Sequence, residues 1–196
     1  MKKIALVLAS AAFALAGCQT GQQYVPPPAP PPPPPPSPQQ PVQAPVTSAG
    51  PLTKAGVGTY MDAQESDLRQ LLRGQGVTVA RRGDVLLVTV PSDNLFDHLA
   101  IGAWGGAFVK GVAEIFAHYD RTLIEVGAYT DTRGREEQNL SLSQQRAEAL
   151  AAALKQNGVA SSRLTATGYG ATNPKVSDGK DPRNRRVEIR IVPKPG

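Results

Sequence analysis

Proline is concentrated in one stretch of this chain, and this stretch limits where a folded domain can form. Of the 19 prolines among 196 residues, fourteen lie between Pro26 and Pro51, and every position from Pro31 to Pro36 is a proline. Proline fixes φ and lacks a backbone N–H, so no packed core can form here. Residues 19–53 also carry no charged side chain. We expect a semi-rigid polyproline II spacer that reaches on the order of 100 Å at full extension; a flexible linker with no distance role is the alternative.

The first 18 residues predict export and attachment to a membrane. Two lysines precede an uninterrupted run of apolar and small residues from Ile4 to Gly17. This is the layout of a secretory signal, and the run is shorter than the roughly 20 residues that span a bilayer. Its end, Leu-Ala-Gly-Cys over residues 15–18, resembles the bacterial lipobox. That resemblance implies that Cys18 carries the lipid anchor as the mature N-terminus, and that Gln19 directs the protein to the outer membrane. An ordinary signal peptide with a chance cysteine is the alternative.

Composition argues against several function classes. The net charge of +5 includes no cluster of lysine and arginine, so nucleic acid is not an expected partner. A single cysteine excludes an intrachain disulfide and a cysteine-based metal site. The two histidines, His98 and His118, lie beside Asp97 and Asp120, which are too few ligands for a metal site. No Gly-x-Ser-x-Gly motif occurs. The chain is therefore predicted to be neither an enzyme nor a cofactor-binding protein.

Hydrophobic periodicity in the rest of the chain predicts an α+β domain. The expected elements, in chain order, are a helix over Met61–Arg73, strands over Val77–Val79 and Asp84–Val90, a buried helix over Leu99–His118, a strand over Thr122–Tyr129, a long helix ending near Gln156, and strands over Leu164–Thr167 and Val187–Val192. The order βαβαβ-β predicts two layers, with the helices on one face of a mixed sheet.

Four segments are expected along the chain: a signal peptide over 1–17, the lipidated cysteine and linker over 18–53, a short helical module over 54–76, and the main domain over 77–196. Residues 54–76 either pack on the domain as a small helix or continue the linker. The helix over 99–118 contains four glycines and is strongly apolar, so a membrane span is its alternative. Lys110 and Glu114 argue against that alternative.

The residues best suited to bind a ligand are Asp131 and Arg146. Asp131 follows a core strand, and Arg146 lies fifteen residues later in the next helix. If that helix begins near Ser141 or Ser143, both side chains can face one pocket, to which the helix N-terminus adds N–H donors. Such a pocket suits a zwitterion, because Asp131 can bind an ammonium and Arg146 a carboxylate. The alternative is structural: Asp131 caps a turn, and Arg146 pairs with Asp131 or Glu136.

Three separated motifs give the chain a resemblance to a known family. They are Thr130-Asp131 with Asn139, Leu142, Ser143, Arg146 and Ala147; Gly168-Tyr169-Gly170 with Asn184-Arg185-Arg186-Val187-Glu188-Ile189; and Phe96-Asp97 upstream. In these motifs residues 77–192 resemble the C-terminal domain of the OmpA family, which is shared with the peptidoglycan-associated lipoprotein. The whole chain is similar to lipobox-bearing members with a short N-terminal module.

The resemblance implies noncovalent binding of peptidoglycan through diaminopimelate in its stem peptide. Asp131 then binds the ammonium and Arg146 the carboxylate. The other pocket residues that the resemblance implies are Thr130, Asn139, Leu142, Phe96, Asp97, Asn184 and Arg185. The protein is accordingly expected to tether the outer membrane to the cell wall from the periplasm.

Two other functions stay open. An adaptor would recruit an envelope protein or a second copy of the chain, and the apolar segment Gly102–Val112 offers a surface for this. A cell-wall hydrolase with an unrecognised active site is the second.

Overall fold

The computed structural model describes residue 52 and residues 54–194. The expected signal peptide, Cys18 and nearly all of the linker lie outside the described residues. The helices are α1 (Lys54–Leu71), α2 (Ser92–Leu95), α3 (Ala103–His118) and α4 (Glu136–Gln156). The strands are β1 (Thr78–Arg82), β2 (Val85–Pro91), β3 (Phe96–Asp97), β4 (Ala100–Ile101), β5 (Thr122–Tyr129), β6 (Leu164–Gly168) and β7 (Arg186–Pro193).

Five of the strands form one mixed sheet. Their order is β1-β2-β7-β5-β6, and β3 and β4 form a separate two-stranded hairpin. Strands β5 and β6 are parallel, because α4 carries the chain back between them, whereas the other neighbours in the sheet are antiparallel. The α+β prediction with a mixed sheet is confirmed.

Alternation along the strands divides the sheet into a core face and an accessible face. On β2, β5 and β7 every second side chain is fully buried; the set includes Leu86, Val88, Val90, Ile124, Val126, Val187, Ile189 and Ile191. Buried side chains of α1, α3 and α4 belong to the same cluster. Glu125 and Arg190 lie between these core positions, where they pair with each other across β5 and β7. The helices therefore cover one face of the sheet.

Helix α1 packs on this core. Met61 and Leu68 are fully buried, and the Tyr60 ring meets the Tyr119 ring edge-on at 5.2 Å. The Tyr119 hydroxyl donates a hydrogen bond of 2.8 Å to Asp67, and burial, together with this contact, raises the pKa of Tyr119. The helix begins at Lys54 rather than Met61. Of the two alternatives for this segment, the packed helix is the one observed.

Helix α3 begins at Ala103 and not at Leu99, because residues 99–101 belong to the β3–β4 hairpin and Gly102 is the N-cap of the helix. His98 turns this hairpin with a φ of 56°. Two of the helix glycines permit close packing: a Cβ at Gly105 would lie 2.3 Å from the Leu95 carbonyl oxygen, and one at Gly111 would lie 3.1 Å from Leu71. Among the described helices, none has the length and apolar character needed to cross a membrane.

Helix α4 begins at Glu136, so the expectation of a start near Ser141 or Ser143 is wrong. Two acidic residues, Glu136 and Glu137, occupy its first turn, where they interact favourably with the positive end of the helix dipole. Arg146 therefore lies in the third turn, about 15 Å along the helix from its start. The free N–H groups of the helix N-terminus are too distant to share a carboxylate with Arg146.

Candidate functional site

Asp131 lies just beyond the end of β5, and its carboxylate is already hydrogen-bonded. Its side chain is 7% exposed. Oδ2 accepts a hydrogen bond of 2.9 Å from Nη1 of Arg185, and Oδ1 accepts one of 3.1 Å from the backbone N–H of Arg133. The Asn139 amide donates to the carbonyl oxygens of Asp131 and Arg133, at 3.2 and 3.0 Å. Asn139 on α4 thus fixes the loop that presents Asp131.

Arg185 bridges Asp131 to a second carboxylate, that of Asp93. Its Nε lies 3.0 Å from Oδ1 and 3.2 Å from Oδ2 of Asp93, and its Nη2 also donates to Oδ2. The hydrogen bonds from Arg185 lower the pKa of Asp93, and the two carboxylates raise the pKa of Arg185. One guanidinium therefore holds two carboxylates from different parts of the chain.

Arg146 presents a half-buried guanidinium beside this bridge. Its Nε donates to the His98 carbonyl at 3.1 Å, its Nη1 lies 3.4 Å from the Ser92 hydroxyl, and its Cζ lies 5.5 Å from the centre of the Phe96 ring. Burial lowers the pKa of Arg146, while the field of Asp93 raises it and that of Arg185 lowers it. Within the described part of the chain, no carboxylate oxygen lies within 4 Å of this guanidinium. The structural ion pair with Asp131 or Glu136 is not observed.

Together these side chains form a compact group of two carboxylates and two guanidiniums, and Nη1 of the largely exposed Arg133 lies 3.8 Å from Oδ2 of Asp131. Sequence reasoning missed Asp93, because no motif marks it. The pairing of β2 with β7 places it here: Pro91 lies opposite Arg186, and the Ser92 N–H donates to the Arg185 carbonyl at 2.9 Å. The only signal in the sequence is an acidic residue two positions after the proline that ends a strand. Without the register of the sheet, that signal does not show which residue Asp93 contacts.

The remaining residues implied by the family resemblance divide into two groups. Phe96 is buried beneath Arg146, and Leu142 is half-buried one helical turn before it. Asp97 is different, since its side chain is 86% exposed and lies 3.9 Å from the still more exposed His98. Thr130 donates its N–H to the Gly170 carbonyl at 2.8 Å. The structure thus brings Phe96 and Leu142 to Arg146 and leaves the Asp97 carboxylate in solvent.

Asn184 supports the loop before β7. Its side chain is buried, its Oδ1 accepts from the Val176 N–H at 3.1 Å, and its Nδ2 donates to the Asp178 carbonyl at 2.7 Å. Both ends of the amide are therefore used in fixing the segment that delivers Arg185 to Asp131.

The Gly-Tyr-Gly segment, residues 168–170, packs the end of β6 against α4. A Cβ at Gly168 would lie 2.2 Å from the Gln144 nitrogen, so only glycine fits there. The Gly170 N–H donates to the buried Ser143 hydroxyl at 2.8 Å. Tyr169 stacks on Tyr129 with ring centres 4.9 Å apart. These contacts hold the end of β5, and hence Asp131, against the helix that carries Arg146.

The apolar stretch of α3 belongs mainly to the core. Phe108, Val109 and Val112 are buried and Trp104 is partly buried against the same core; the exposed positions are Ala103, Gly106, Ala107 and Lys110. The observation that suggested a surface for a protein partner is thus explained by packing. Among the described residues, no group of three or more His, Cys, Asp or Glu side chains is arranged to hold a metal ion.

Known proteins resemble this chain in sequence. It is 42% identical over 144 residues to a protein of Escherichia coli (strain K12) named "Probable lipoprotein YiaD", a match that covers 70% of this chain and 65% of that one. The peptidoglycan-associated lipoprotein of Buchnera aphidicola subsp. Baizongia pistaciae is 30% identical over 84 residues, which cover 41% and 49% of the two chains. The chain spans less than two thirds of the length of these relatives.

Known structures and a family model agree with the sequence relatives. The cell wall anchor of the T6SS from Pseudomonas aeruginosa superimposes with a TM-score of 0.54 at 27% identity, over 65% of this chain and 97% of that one. Residues 101–188, which include Asp131, Arg146 and Arg185, match the model of the OmpA family. Asp131, Arg146 and Arg185 therefore lie in the segment of the chain that is similar to the OmpA family.

Proposed function

We propose that this protein is an outer-membrane lipoprotein that binds peptidoglycan noncovalently through diaminopimelate and so tethers the membrane to the cell wall. In this proposal Cys18 is lipidated after removal of residues 1–17, residues 18–53 form the linker, and residues 54–76 and 77–196 form the wall-binding part. Stable membrane anchoring needs more than one acyl chain, and a cysteine processed at a lipobox carries more than one. The names of similar proteins support the proposal. One relative is a peptidoglycan-associated lipoprotein, another is a probable lipoprotein, and one structural neighbour is a cell wall anchor.

The observation that carries the proposal is the guanidinium of Arg146, which is half-buried and has no carboxylate within 4 Å in the described residues. Taking a cation out of water costs free energy unless an anion or hydrogen-bond acceptors compensate for the lost hydration. Here one carbonyl at 3.1 Å, a distant hydroxyl and the Phe96 ring provide only part of that compensation. A carboxylate from a ligand supplies the rest.

Asp131 supplies the complementary charge. Diaminopimelate ends in an ammonium and a carboxylate on the same carbon, so a site for it needs an anion and a cation close together. Asp131 and Arg146 are linked through Arg185 and Asp93, each within hydrogen-bonding or electrostatic reach of the next. The ligand ammonium binds the Asp131 carboxylate, either together with Arg185 or in its place. The ligand carboxylate binds to Arg146.

The first test is binding to purified peptidoglycan by the full chain. We expect Asp131→Asn and Arg146→Gln each to weaken binding by roughly tenfold to a hundredfold, because a hydrogen bond to a charged group contributes about 1.5–3 kcal/mol. Arg69→Gln is the matched control: this arginine pairs with Glu65 on the exposed side of α1, away from the site. Co-sedimentation of both site variants at the level of the parent and of the control would contradict the proposal.

The second test addresses the chemistry of the ligand. Calorimetric titration compares a stem peptide that contains diaminopimelate with one that contains lysine in its place. Lysine keeps the ammonium and lacks the carboxylate, so we expect the parent to prefer diaminopimelate by about tenfold or more. Arg146→Gln should bind both peptides equally. Equal binding of the two peptides by the parent excludes the role proposed for Arg146, although peptidoglycan binding itself can still hold.

A further inference from the structure

We propose that Asp93 is a positioning residue that holds Arg185 and thereby leaves Asp131 available to the ammonium of a ligand. This inference rests on the proposed function, since it concerns how the same site accepts its ligand. Asp93 belongs to no motif of the chain and enters the site through the pairing of β2 with β7.

The distribution of hydrogen bonds from Arg185 supports this role. Three of them go to Asp93, from Nε to both carboxylate oxygens and from Nη2 to one, while a single hydrogen bond goes to Asp131. When an ammonium approaches Asp131, Arg185 therefore gives up one of its four hydrogen bonds to these carboxylates. Its charge stays neutralised by Asp93, so the displaced guanidinium is not left without an anion.

Because Asp131 is buried, loss of Asp93 is expected to weaken binding of the ligand. The Asp131 side chain is 7% exposed and that of Asp93 is 53% exposed. Charges attract each other more strongly where water is excluded, so the natural partner of an unrestrained Arg185 is Asp131. Without Asp93, both prongs of the guanidinium are free to turn to Asp131 and form a two-pronged ion pair. The ligand ammonium then has to break this internal pair.

The test uses calorimetry on the full chain with the diaminopimelate stem peptide as the probe. We expect Asp93→Asn to lower affinity by about tenfold, which is close to the contribution of one charge-assisted hydrogen bond. Asp93→Glu keeps the carboxylate and should restore affinity to within a few-fold of the parent. The double variant Asp93→Asn with Arg185→Gln removes the internal competitor, so it should bind more tightly than Asp93→Asn alone.

The lysine-containing peptide separates this role from one exerted through Arg146. Both peptides bring an ammonium to Asp131, so Asp93→Asn should weaken the binding of both. It should not lower the preference for diaminopimelate, because Arg146 attracts a carboxylate at least as strongly once the nearby Asp93 charge is removed. A loss of that preference would mean that Asp93 acts by positioning Arg146, and the inference would be wrong. Thermal unfolding of each variant establishes whether the fold is kept.

Two other outcomes also overturn the inference. If Asp93→Asn binds as tightly as the parent, Arg185 does not compete for Asp131. If the double variant binds no better than Asp93→Asn, the Asp93 carboxylate attracts the ligand directly instead of holding Arg185. Failure of the proposed function is recognised separately, because Asp131→Asn would then bind the stem peptide as well as the parent does.

Discussion

At the scale of single residues, a buried arginine outside the candidate site has a purely structural task. Arg163 is 5% exposed, and its guanidinium donates to the carbonyl oxygens of Phe116, Tyr119 and Thr122 at 2.6–2.8 Å, and to the Thr122 hydroxyl at 2.9 Å. The first two carbonyls lie at the C-terminal end of α3, where a cation is favoured by the helix dipole. Burial lowers the pKa of Arg163, and no carboxylate within the described residues forms an ion pair with it.

We expect Arg163→Met to lower the free energy of unfolding by about 3 kcal/mol or more, because several buried carbonyls lose their donors at once. Arg163→Lys should lose less, since one ammonium can reach some but not all of the same oxygens. Denaturant unfolding monitored by circular dichroism measures both changes. Arg69→Met on the exposed side of α1 is the control and should change stability by no more than about 0.5 kcal/mol. A loss below about 1 kcal/mol for Arg163→Met would contradict the assigned role.

The same scale shows how far residue roles could be predicted. Asp131 and Arg146 could be predicted as candidate site residues because a strand end and the following helix are close in sequence and carry a recognisable pattern. Asp93 and Arg163 act on residues that are 41 or more positions away, as in the contact of Arg163 with Thr122 and of Arg185 with Asp93. Such partners depend on sheet register and helix packing, which one sequence does not specify.

At the scale of elements, neighbouring glycines in α3 have opposite roles. A Cβ at Gly105 would lie 2.3 Å from the Leu95 carbonyl oxygen, whereas a Cβ at Gly106 would meet nothing within 4 Å. The first glycine lets α3 approach the end of α2, and the second only adds conformational freedom to the unfolded chain. The pair therefore provides a test in which the same substitution is made at adjacent positions of one helix.

We expect Gly106→Ala to raise the free energy of unfolding by about 0.5–1 kcal/mol, because alanine is the better helix former. Gly105→Ala should lower it by roughly 1–3 kcal/mol, since backbone atoms must move to make room. Thermal or denaturant unfolding of both variants gives the two signs directly. Stabilisation by both substitutions would show that α3 does not pack on Leu95 as closely as described.

Elements with a long regular pattern were predicted well, and those without one were not. The strand over Thr122–Tyr129 has the expected bounds, because apolar residues recur along it from Leu123 to Tyr129. The β3–β4 hairpin uses two residues per strand and a histidine at positive φ, which leaves no periodicity to detect. The start of α4 was placed too late because its first turn is polar throughout, so the apolar stripe begins well after Glu136.

At the scale of the whole molecule, the proposed function places two binding events at opposite ends of one chain. Lipid attachment at Cys18 and wall binding at Asp131 are separated by a proline-rich segment. Once one end is bound, the other end is confined near its target at a high effective concentration. Modest affinity of the wall-binding site is then enough for firm attachment, provided that both sites belong to the same chain.

The requirement that one chain carries both sites can be tested with fluorescent lipid vesicles, purified cell-wall sacculi and the lipidated full chain. We expect the parent to carry vesicle fluorescence into the pellet with the sacculi. Cys18→Ser should bind sacculi without bringing lipid down. Asp131→Asn should stay on the vesicles and bring far less lipid down, because its affinity for sacculi is expected to be roughly tenfold to a hundredfold lower. An equal mixture of these two variants should not restore bridging, because neither chain carries both functional ends. If the mixture does bridge, the chains associate with each other, and a second copy must be counted among the partners of this protein.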